Sequence, residues 1–187
     1  MTWPAISTLC ELIRLDISAP CCCNSPLFAG PTETIEGICC PGGRGHILRE
    51  IDKSLSRLQV DYVDIYLLHH PDPTTPIDET LDALNDLVQQ GKVRYVGCCN
   101  FSAWQVCKAL WASDRNRVVP FMCVQNHYNL LGRSFEEAML PLCRSEGVGI
   151  MVYSPLSLGL LSGLYRLDTP PPAGTYWANR LDRYQKI

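Results

Sequence analysis

The amino-acid sequence predicts an α/β fold, part of a (β/α)8 TIM barrel, from three observations. Short apolar segments alternate with helical segments of about 10–15 residues, an order typical of parallel βαβ units. The chain has 187 residues, 47% of them hydrophobic, which is enough for one sizeable core. A doubly wound nucleotide-binding sheet has the same order but usually carries G-x-G-x-x-G after its first strand, and the sequence lacks that motif. "GGRG" at residues 42–45 lacks the last glycine, so we favour the barrel.

The first regular elements follow these glycines. "HILREIDKSLSRL" (residues 46–58) predicts a helix, because its apolar residues recur at helical spacing. "YVDIYLL" (residues 62–68) is short and rich in β-branched and aromatic residues, which predicts a strand. The expected inner stripe of the helix consists of Ile47, Leu48, Ile51, Leu55 and Leu58.

Three more helices and three more strands follow in alternation. Each helix is expected to begin at a capping box, the first one with a proline at its first position. The predicted boxes are Thr75 with Asp78, Ser102 with Gln105, and Ser134 with Glu137, and glycines at positions 91 and 147 are expected to end two of the helices. The predicted strands are "VRYVG" (residues 93–97), "FMCVQ" (residues 121–125) and "VGIMVY" (residues 148–153).

The ends of the chain have a different character from its middle. Residues 1–44 are rich in Pro, Gly and Cys and show no sustained period, so we expect an atypical segment that is unstructured or aberrant. Residues 45–166 form the predicted barrel portion, and residues 167–187 are predicted to be a loop or tail. Six of the eleven cysteines lie in the first segment; their odd total and the lack of a secretory signal argue against a disulfide framework.

Composition excludes several classes of protein. The net charge of −3 favours neither nucleic acid nor an anionic membrane as a partner. No apolar run reaches the ~20 residues that a membrane-spanning helix needs, and no secretory signal is visible at the N-terminus. We therefore expect a cytoplasmic protein.

Polar and aromatic residues follow each predicted strand, where α/β folds carry their chemistry. His69 follows the first strand, Asn100 the second, Gln125 lies at the third, and Tyr153 ends the fourth. Asn100 and Gln125 can each donate and accept, which matches a carboxamide, and Tyr153 offers a flat ring for stacking. The loop "SPLSLG" (residues 154–159) has small residues and free N–H groups suited to a pyrophosphate.

Simpler interpretations stay open at this point. His69 alone would fit a hydrated rim histidine, Asn100 and Gln125 would fit loop caps, and Tyr153 would fit barrel packing. A metal site at His69 and His70 is not expected, because adjacent strand residues face opposite sides.

Four motifs make the chain resemble the aldo-keto reductase superfamily, in its bacterial-type, potassium-channel-β-like branch. They are "DYVDIYLLHHPDP", "GKVRYVGCCNFS", "VQNHYNLL" and "VGIMVYSPLSLGLLSGLY", in the family's order and spacing. The resemblance implies a (β/α)8 barrel, of which this chain supplies roughly strands four to seven. It also implies binding of NADPH and hydride transfer to a small aldehyde or ketone.

The resemblance assigns roles to seven residues. His69 would orient the substrate carbonyl as the catalytic residue. Cys99, in place of the family's usual serine, would hold the nicotinamide carboxamide with Asn100 and Gln125. Tyr153 would stack on the nicotinamide. The remaining two, Ser154 and Leu156, would approach the pyrophosphate with nearby backbone.

One departure from the family bears on activity. The family's proton donor is a tyrosine within D-x-A-x-x-Y-G, tuned by a lysine and an aspartate, and residues 1–44 contain neither tyrosine nor lysine. The sequence therefore predicts either a reductase fragment without these catalytic groups, or an inactive truncated product or nucleotide-binding interaction module. Open sheet edges would favour self-association.

Overall fold

The computed structural model describes residues 15–16, 42–166 and 169–181. Five strands and four α-helices lie within these ranges. The strands are β1 (Leu15–Asp16), β2 (Val63–Leu68), β3 (Val93–Cys99), β4 (Cys123–His127) and β5 (Gly149–Tyr153). The helices are α1 (Arg44–Leu58), α2 (Ile77–Gln89), α3 (Ala103–Asn116) and α4 (Met139–Glu146), with short 3-10 helices at Ser134–Glu136 and Ser157–Ser162.

The strands form one sheet in the order β1-β2-β3-β4-β5, and every neighbouring pair is parallel. Each strand thus pairs with the next one along the chain. A doubly wound sheet would reverse its strand order at a switch point, whereas a barrel does not. The predicted parallel α/β architecture is confirmed, and all the strand ends that follow β2 to β5 lie at one edge.

The main core lies between the sheet and its helices. Strand residues on the helix-facing side, including Tyr66, Val96 and Val124, pack against the inner stripes of the helices. The α2 stripe follows the predicted spacing, and Leu81, Leu84 and Leu87 are completely buried. Such leucines each contribute roughly 1.5–3 kcal/mol through burial.

Leu58 is the one wrongly predicted member of the α1 stripe. Ile47 and Ile51 are buried as expected, but the Leu58 side chain is 48% exposed. Leu58 is the last residue of the helix, and the chain turns away at Gln59, which has a φ of 55°. The apolar periodicity of the sequence thus extends beyond the part of the helix that packs against the sheet.

The capping predictions had mixed outcomes. The box at Ser102 is confirmed, and Gln105 Oε1 accepts the Ser102 backbone N–H at 2.9 Å. The box at Ser134 is wrong: the segment forms a 3-10 turn and α4 begins only at Met139. Thr75 also does not cap α2, because its hydroxyl donates to Asp72 Oδ2 at 2.7 Å and Pro76 takes the cap position.

The opposite face of the sheet carries a smaller apolar cluster. Leu67, Cys99 and Cys123 are buried there, with Ile65 and Met151 partly buried around them. Gly97 lies between Leu67 and Cys123 at the centre of this face. The face corresponds to the interior of a barrel and leads up to the strand ends.

The segment predicted to be irregular contains one short regular element. Leu15 and Asp16 pair in parallel with Ile65 and Tyr66 of β2, a strand that the sequence did not predict. The remainder of the expected N-terminal segment, residues 1–14 and 17–41, lies outside the described residues. None of the described helices combines the length and apolar character needed to span a bilayer.

Candidate functional site

His69 immediately follows the last residue of β2 and is half-buried. Burial, and then the neighbouring His70, lower the pKa of His69 from its usual 6.5. The imidazole is therefore neutral at neutral pH, so it has one N–H donor and one acceptor nitrogen. That state suits a hydrogen bond to a carbonyl oxygen.

The expectation that His69 and His70 point to opposite sides is wrong. Their ring centroids lie 4.3 Å apart with an interplanar angle of 51°. The alternation rule holds within a strand, and β2 ends at Leu68, one residue earlier. Across the described ranges, no group of three or more His, Cys, Asp or Glu side chains is arranged to hold a metal ion. A cavity of about 440 Å³ beside the site is lined by His70 and not by His69.

Asn100 connects three strand ends. It follows β3 with a φ of 60°, in the left-handed region that asparagine tolerates better than most residues. Its Nδ2 donates to the His69 carbonyl oxygen at 2.9 Å, and its Oδ1 accepts from the Tyr153 hydroxyl at 2.8 Å. The carboxamide thus fixes the ends of β2, β3 and β5 relative to one another, and it keeps one further donor and one further acceptor position.

Cys99 and Gln125 lie side by side on β3 and β4. They are register partners in the parallel ladder, and Cys99 Sγ donates to Gln125 Oε1 at 3.5 Å. Burial, and then the neighbouring Cys123, raise the pKa of the Cys99 thiol to about 12. The thiol stays protonated and acts as a weak donor that orients the Gln125 carboxamide.

Tyr153 is the last residue of β5 and is 38% exposed. Its ring meets the His127 ring edge-on, with centroids 5.5 Å apart. Burial, and then Cys99, raise the pKa of the Tyr153 hydroxyl above its usual value of 10. This phenol therefore keeps its proton, which it donates to Asn100.

The predicted phosphate-binding loop begins at Ser154. Ser154 has a φ of 54°, and its carbonyl oxygen accepts a hydrogen bond from Asn129 Nδ2 at 3.0 Å. Leu156 is 54% exposed, and its carbonyl oxygen accepts the N–H groups of Gly159 and Leu161. These two residues thus lie beyond the Asn100 cluster, along the continuation of β5.

Sequence reasoning missed two asparagines. Asn126 Oδ1 accepts the Asn100 backbone N–H at 3.0 Å, and Asn126 Nδ2 donates to the Phe101 carbonyl oxygen at 2.9 Å. Asn129 is only 5% exposed. Besides its bond to Ser154, its Oδ1 accepts the backbone N–H groups of Leu131 and Gly132. The signal was the segment "QNHYN" (residues 125–129), in which four of the five side chains are Gln, Asn or His, more than one strand end needs.

The structure therefore joins His69, Asn100 and Tyr153 in one hydrogen-bonded line and places Cys99 and Gln125 as a second pair. Two carboxamides, a neutral imidazole and a partly exposed phenol ring can bind a planar ring that bears an amide. The roles toward a cofactor that the resemblance implies for these residues stay predictions.

Comparison with known proteins identifies the family. The aldo/keto reductase family model matches residues 32–185, so the match starts within the segment expected to be atypical. An uncharacterized oxidoreductase of Bacillus subtilis is 39% identical over 140 residues, covering 75% of this chain and 42% of that protein. A probable voltage-gated potassium channel β subunit of Arabidopsis thaliana is 37% identical over 161 residues, covering 86% of this chain and 47% of that protein.

The structural comparison agrees. A glycerol dehydrogenase of Gluconobacter oxydans superimposes with a TM-score of 0.63 at 33% identity, covering 74% of this chain and 40% of that one. The chain spans less than half the length of each of these relatives. With most of its residues matched by the family model, the chain belongs to the aldo/keto reductase family.

Proposed function

We propose that this chain forms the nicotinamide-binding part of an NADPH-dependent aldo-keto reductase that reduces a small aldehyde or ketone. The observation that carries the proposal is the hydrogen-bonded line from the His69 carbonyl oxygen through Asn100 to the Tyr153 hydroxyl. This line holds the backbone of His69, the Asn100 carboxamide and the Tyr153 ring together at the strand ends.

The residues present fit a nicotinamide cofactor. Asn100 and Gln125, with Cys99 beside them, would hold the carboxamide, because each amide both donates and accepts. Tyr153 would stack on the ring, and its hydroxyl bond to Asn100 fixes the plane of the phenol. Ser154 and Leu156, with the N–H groups of their loop, would face the pyrophosphate. When bound, the nicotinamide supplies the hydride.

His69 would orient the substrate carbonyl. Because its pKa is lowered, the imidazole is neutral and its N–H can donate to a carbonyl oxygen. A charged ring at this half-buried position would instead need water around it. As hydride arrives at carbon, negative charge grows on that oxygen, and a donor held in place stabilises it.

A second candidate function is a nucleotide-binding module without turnover, and one specific observation favours it. Residues 1–44 contain no tyrosine or lysine, the residue types that supply and tune the proton in this family. Tyr153 has a raised pKa and already donates to Asn100, so it is a poor substitute acid. Without an acid near the alkoxide, general-acid catalysis worth roughly 10²–10⁴-fold is lost.

Two experiments separate the candidates. NADPH binding is measured by the change in nicotinamide fluorescence, for the wild-type chain and for Tyr153→Ala. Tyr95→Ala is the matched control, because Tyr95 is 56% exposed and lies on the same face about 13 Å from the end of β3. Turnover of NADPH with 4-nitrobenzaldehyde is then compared for His69→Ala and His70→Ala.

The outcomes are distinct. Binding that Tyr153→Ala weakens, together with turnover that His69→Ala but not His70→Ala abolishes, supports the reductase. Binding without turnover supports the module. If NADPH does not bind, or if both tyrosine variants bind it equally well, both candidates are wrong.

The cellular setting is also a proposal. The cysteines that the structure describes are all free thiols, which fits a reducing compartment such as the cytoplasm. They are Cys98, Cys99, Cys107, Cys123 and Cys143.

Ile150 and Val152 of β5 are 39% and 42% exposed, and within the described part of the chain β5 pairs only with β4. We propose self-association through this edge, and no nucleic-acid partner.

A further inference from the structure

Asn100 occupies an uncommon backbone conformation at the centre of the site. Its φ of 60° places it in the left-handed region, which costs most non-glycine residues roughly 1–2 kcal/mol. From this backbone position its side chain bonds to both His69 and Tyr153. A conformation of this kind persists only where the surrounding structure fixes it.

Asn126 provides that fixation. The Asn100 N–H is shared between two acceptors, the Gln125 carbonyl oxygen of the β-ladder and Asn126 Oδ1, both at 3.0 Å. At its other end, Asn126 Nδ2 donates to the Phe101 carbonyl oxygen at 2.9 Å. One carboxamide therefore binds the backbone immediately before and after the Asn100–Phe101 peptide.

Two neighbouring residues of β4 have hydrogen-bond partners on different sides of the strand. Gln125 and Asn126 are adjacent, so their side chains leave opposite faces of the strand. Gln125 is turned toward Cys99 on the inner face, whereas Asn126 is turned toward the backbone that follows β3. Gln125 is thus available to a ligand, and Asn126 is committed to the protein.

We infer that Asn126 is a positioning residue, which holds Asn100 in the left-handed conformation so that its carboxamide faces the bound nicotinamide. The inference rests on the proposed function for its ligand, but the backbone role of Asn126 stands on the hydrogen bonds alone. Asn126 makes no contact with NADPH in this scheme and acts only through Asn100.

The test compares Asn126→Leu with Asn126→Asp. Leucine removes both hydrogen bonds at similar volume, and the loss of a bond of this kind should weaken NADPH binding about tenfold. Aspartate keeps an acceptor for the Asn100 N–H but sets an oxygen against the Phe101 carbonyl oxygen. It should therefore lower thermal stability while it retains NADPH affinity within about threefold.

Asn85→Leu is the matched control. Asn85 Oδ1 also accepts a backbone N–H, that of Val119 at 3.3 Å, on a helix away from the strand ends. Its replacement should lower stability without changing NADPH affinity. A double variant with Asn100→Ala completes the cycle, because a residue that acts through Asn100 has no further effect once that side chain is gone.

Hydrogen exchange of the Asn100 amide gives a readout without NADPH. Asn126→Leu should speed this exchange roughly five- to tenfold, whereas Asn85→Leu should not. If the wild-type chain does not bind NADPH, the proposed function fails, and the exchange rate alone then decides the role of Asn126. An unchanged Asn100 exchange rate overturns the inference. So does equal NADPH affinity in the two leucine variants, or a full effect of Asn126→Leu in the Asn100→Ala background.

Discussion

Replacing Gly97 by alanine should lower the unfolding free energy of the protein, because the new methyl group overpacks the inner face of the sheet. A Cβ atom at Gly97 would lie 2.6 Å from the Cys123 carbonyl oxygen, 2.7 Å from Cys123 Sγ and 2.7 Å from Leu67 Cδ2. The closest of these is about 0.8 Å short of ordinary van der Waals contact, and it is a backbone atom. A side chain can rotate away from such an overlap, but here β4 must shift relative to β3.

The expected cost is about 3 kcal/mol, at the upper end of the range for overpacked sites. Because urea lowers the unfolding free energy of a small protein by about 1–3 kcal/mol per molar, the urea midpoint should fall by about 1–3 M. Equilibrium unfolding in urea, followed by tryptophan fluorescence, measures this shift directly.

Gly149→Ala is the matched control on β5. Its Cβ would lie 3.3 Å from the Met122 carbonyl oxygen and 3.4 Å from Cys123 Cβ, so only a small adjustment is needed. The reduced freedom of the unfolded chain is the same in both variants and cancels in the comparison. Equal urea midpoints for the two variants would refute the packing argument for Gly97.

Three further predictions concern pH and association. Burial opposes ionisation of Asp72, but hydrogen bonds from Thr74, Thr75 and Gly42 lower its pKa from 3.8 to about 2. The carboxylate therefore stabilises the fold above about pH 4, and this contribution is lost as pH falls through about 2. In Asp72→Asn, the unfolding free energy should fall less steeply over this acid range when it is measured against pH. Burial, and then the adjacent imidazole, lower the pKa of His69 in the folded protein. Below about pH 6.5 the unfolded chain therefore binds more protons than the folded chain, and the unfolding free energy should drop. Urea titrations at about pH 5 and 7.5 should show a smaller drop for His69→Gln than for the wild-type chain. Val152→Lys puts a charge on the exposed β5 edge and should shift light scattering toward the monomer, and an unchanged mass would contradict association through that edge.

The sequence predicted those parts of the site that depend only on topology. Parallel strands end at one edge of a sheet, so residues that follow successive strands must converge there. This is why His69, Asn100 and Tyr153, separated by dozens of positions, could be assigned to one cluster before any distance was known. The buried stripe of α2 was equally predictable, because its period matches an uninterrupted helix.

Features that depend on the path of a loop were not predictable. The ring contact between His69 and His70 arises because β2 ends one residue before the pair, and strand ends are uncertain in sequence reasoning. The role of Asn126 depends on the left-handed turn at Asn100, which is set by contacts across strands. The Ser134 box failed because no α-helix begins there: Ser134–Glu136 is a 3-10 turn, in which the Glu136 carboxylate accepts from Arg133 and Tyr128.

The most direct test of the account is a titration of the ¹⁵N-labelled chain with NADPH, followed through side-chain amide signals in NMR spectra. If the strand ends hold the nicotinamide, the amide signals of Asn100 and Gln125 should shift together with NADPH concentration. The Asn85 signal, from an amide that caps a distant loop, should stay in place. Saturable binding that leaves Asn100 and Gln125 unmoved would contradict the assignment of this site, and the absence of any shift would contradict cofactor binding itself.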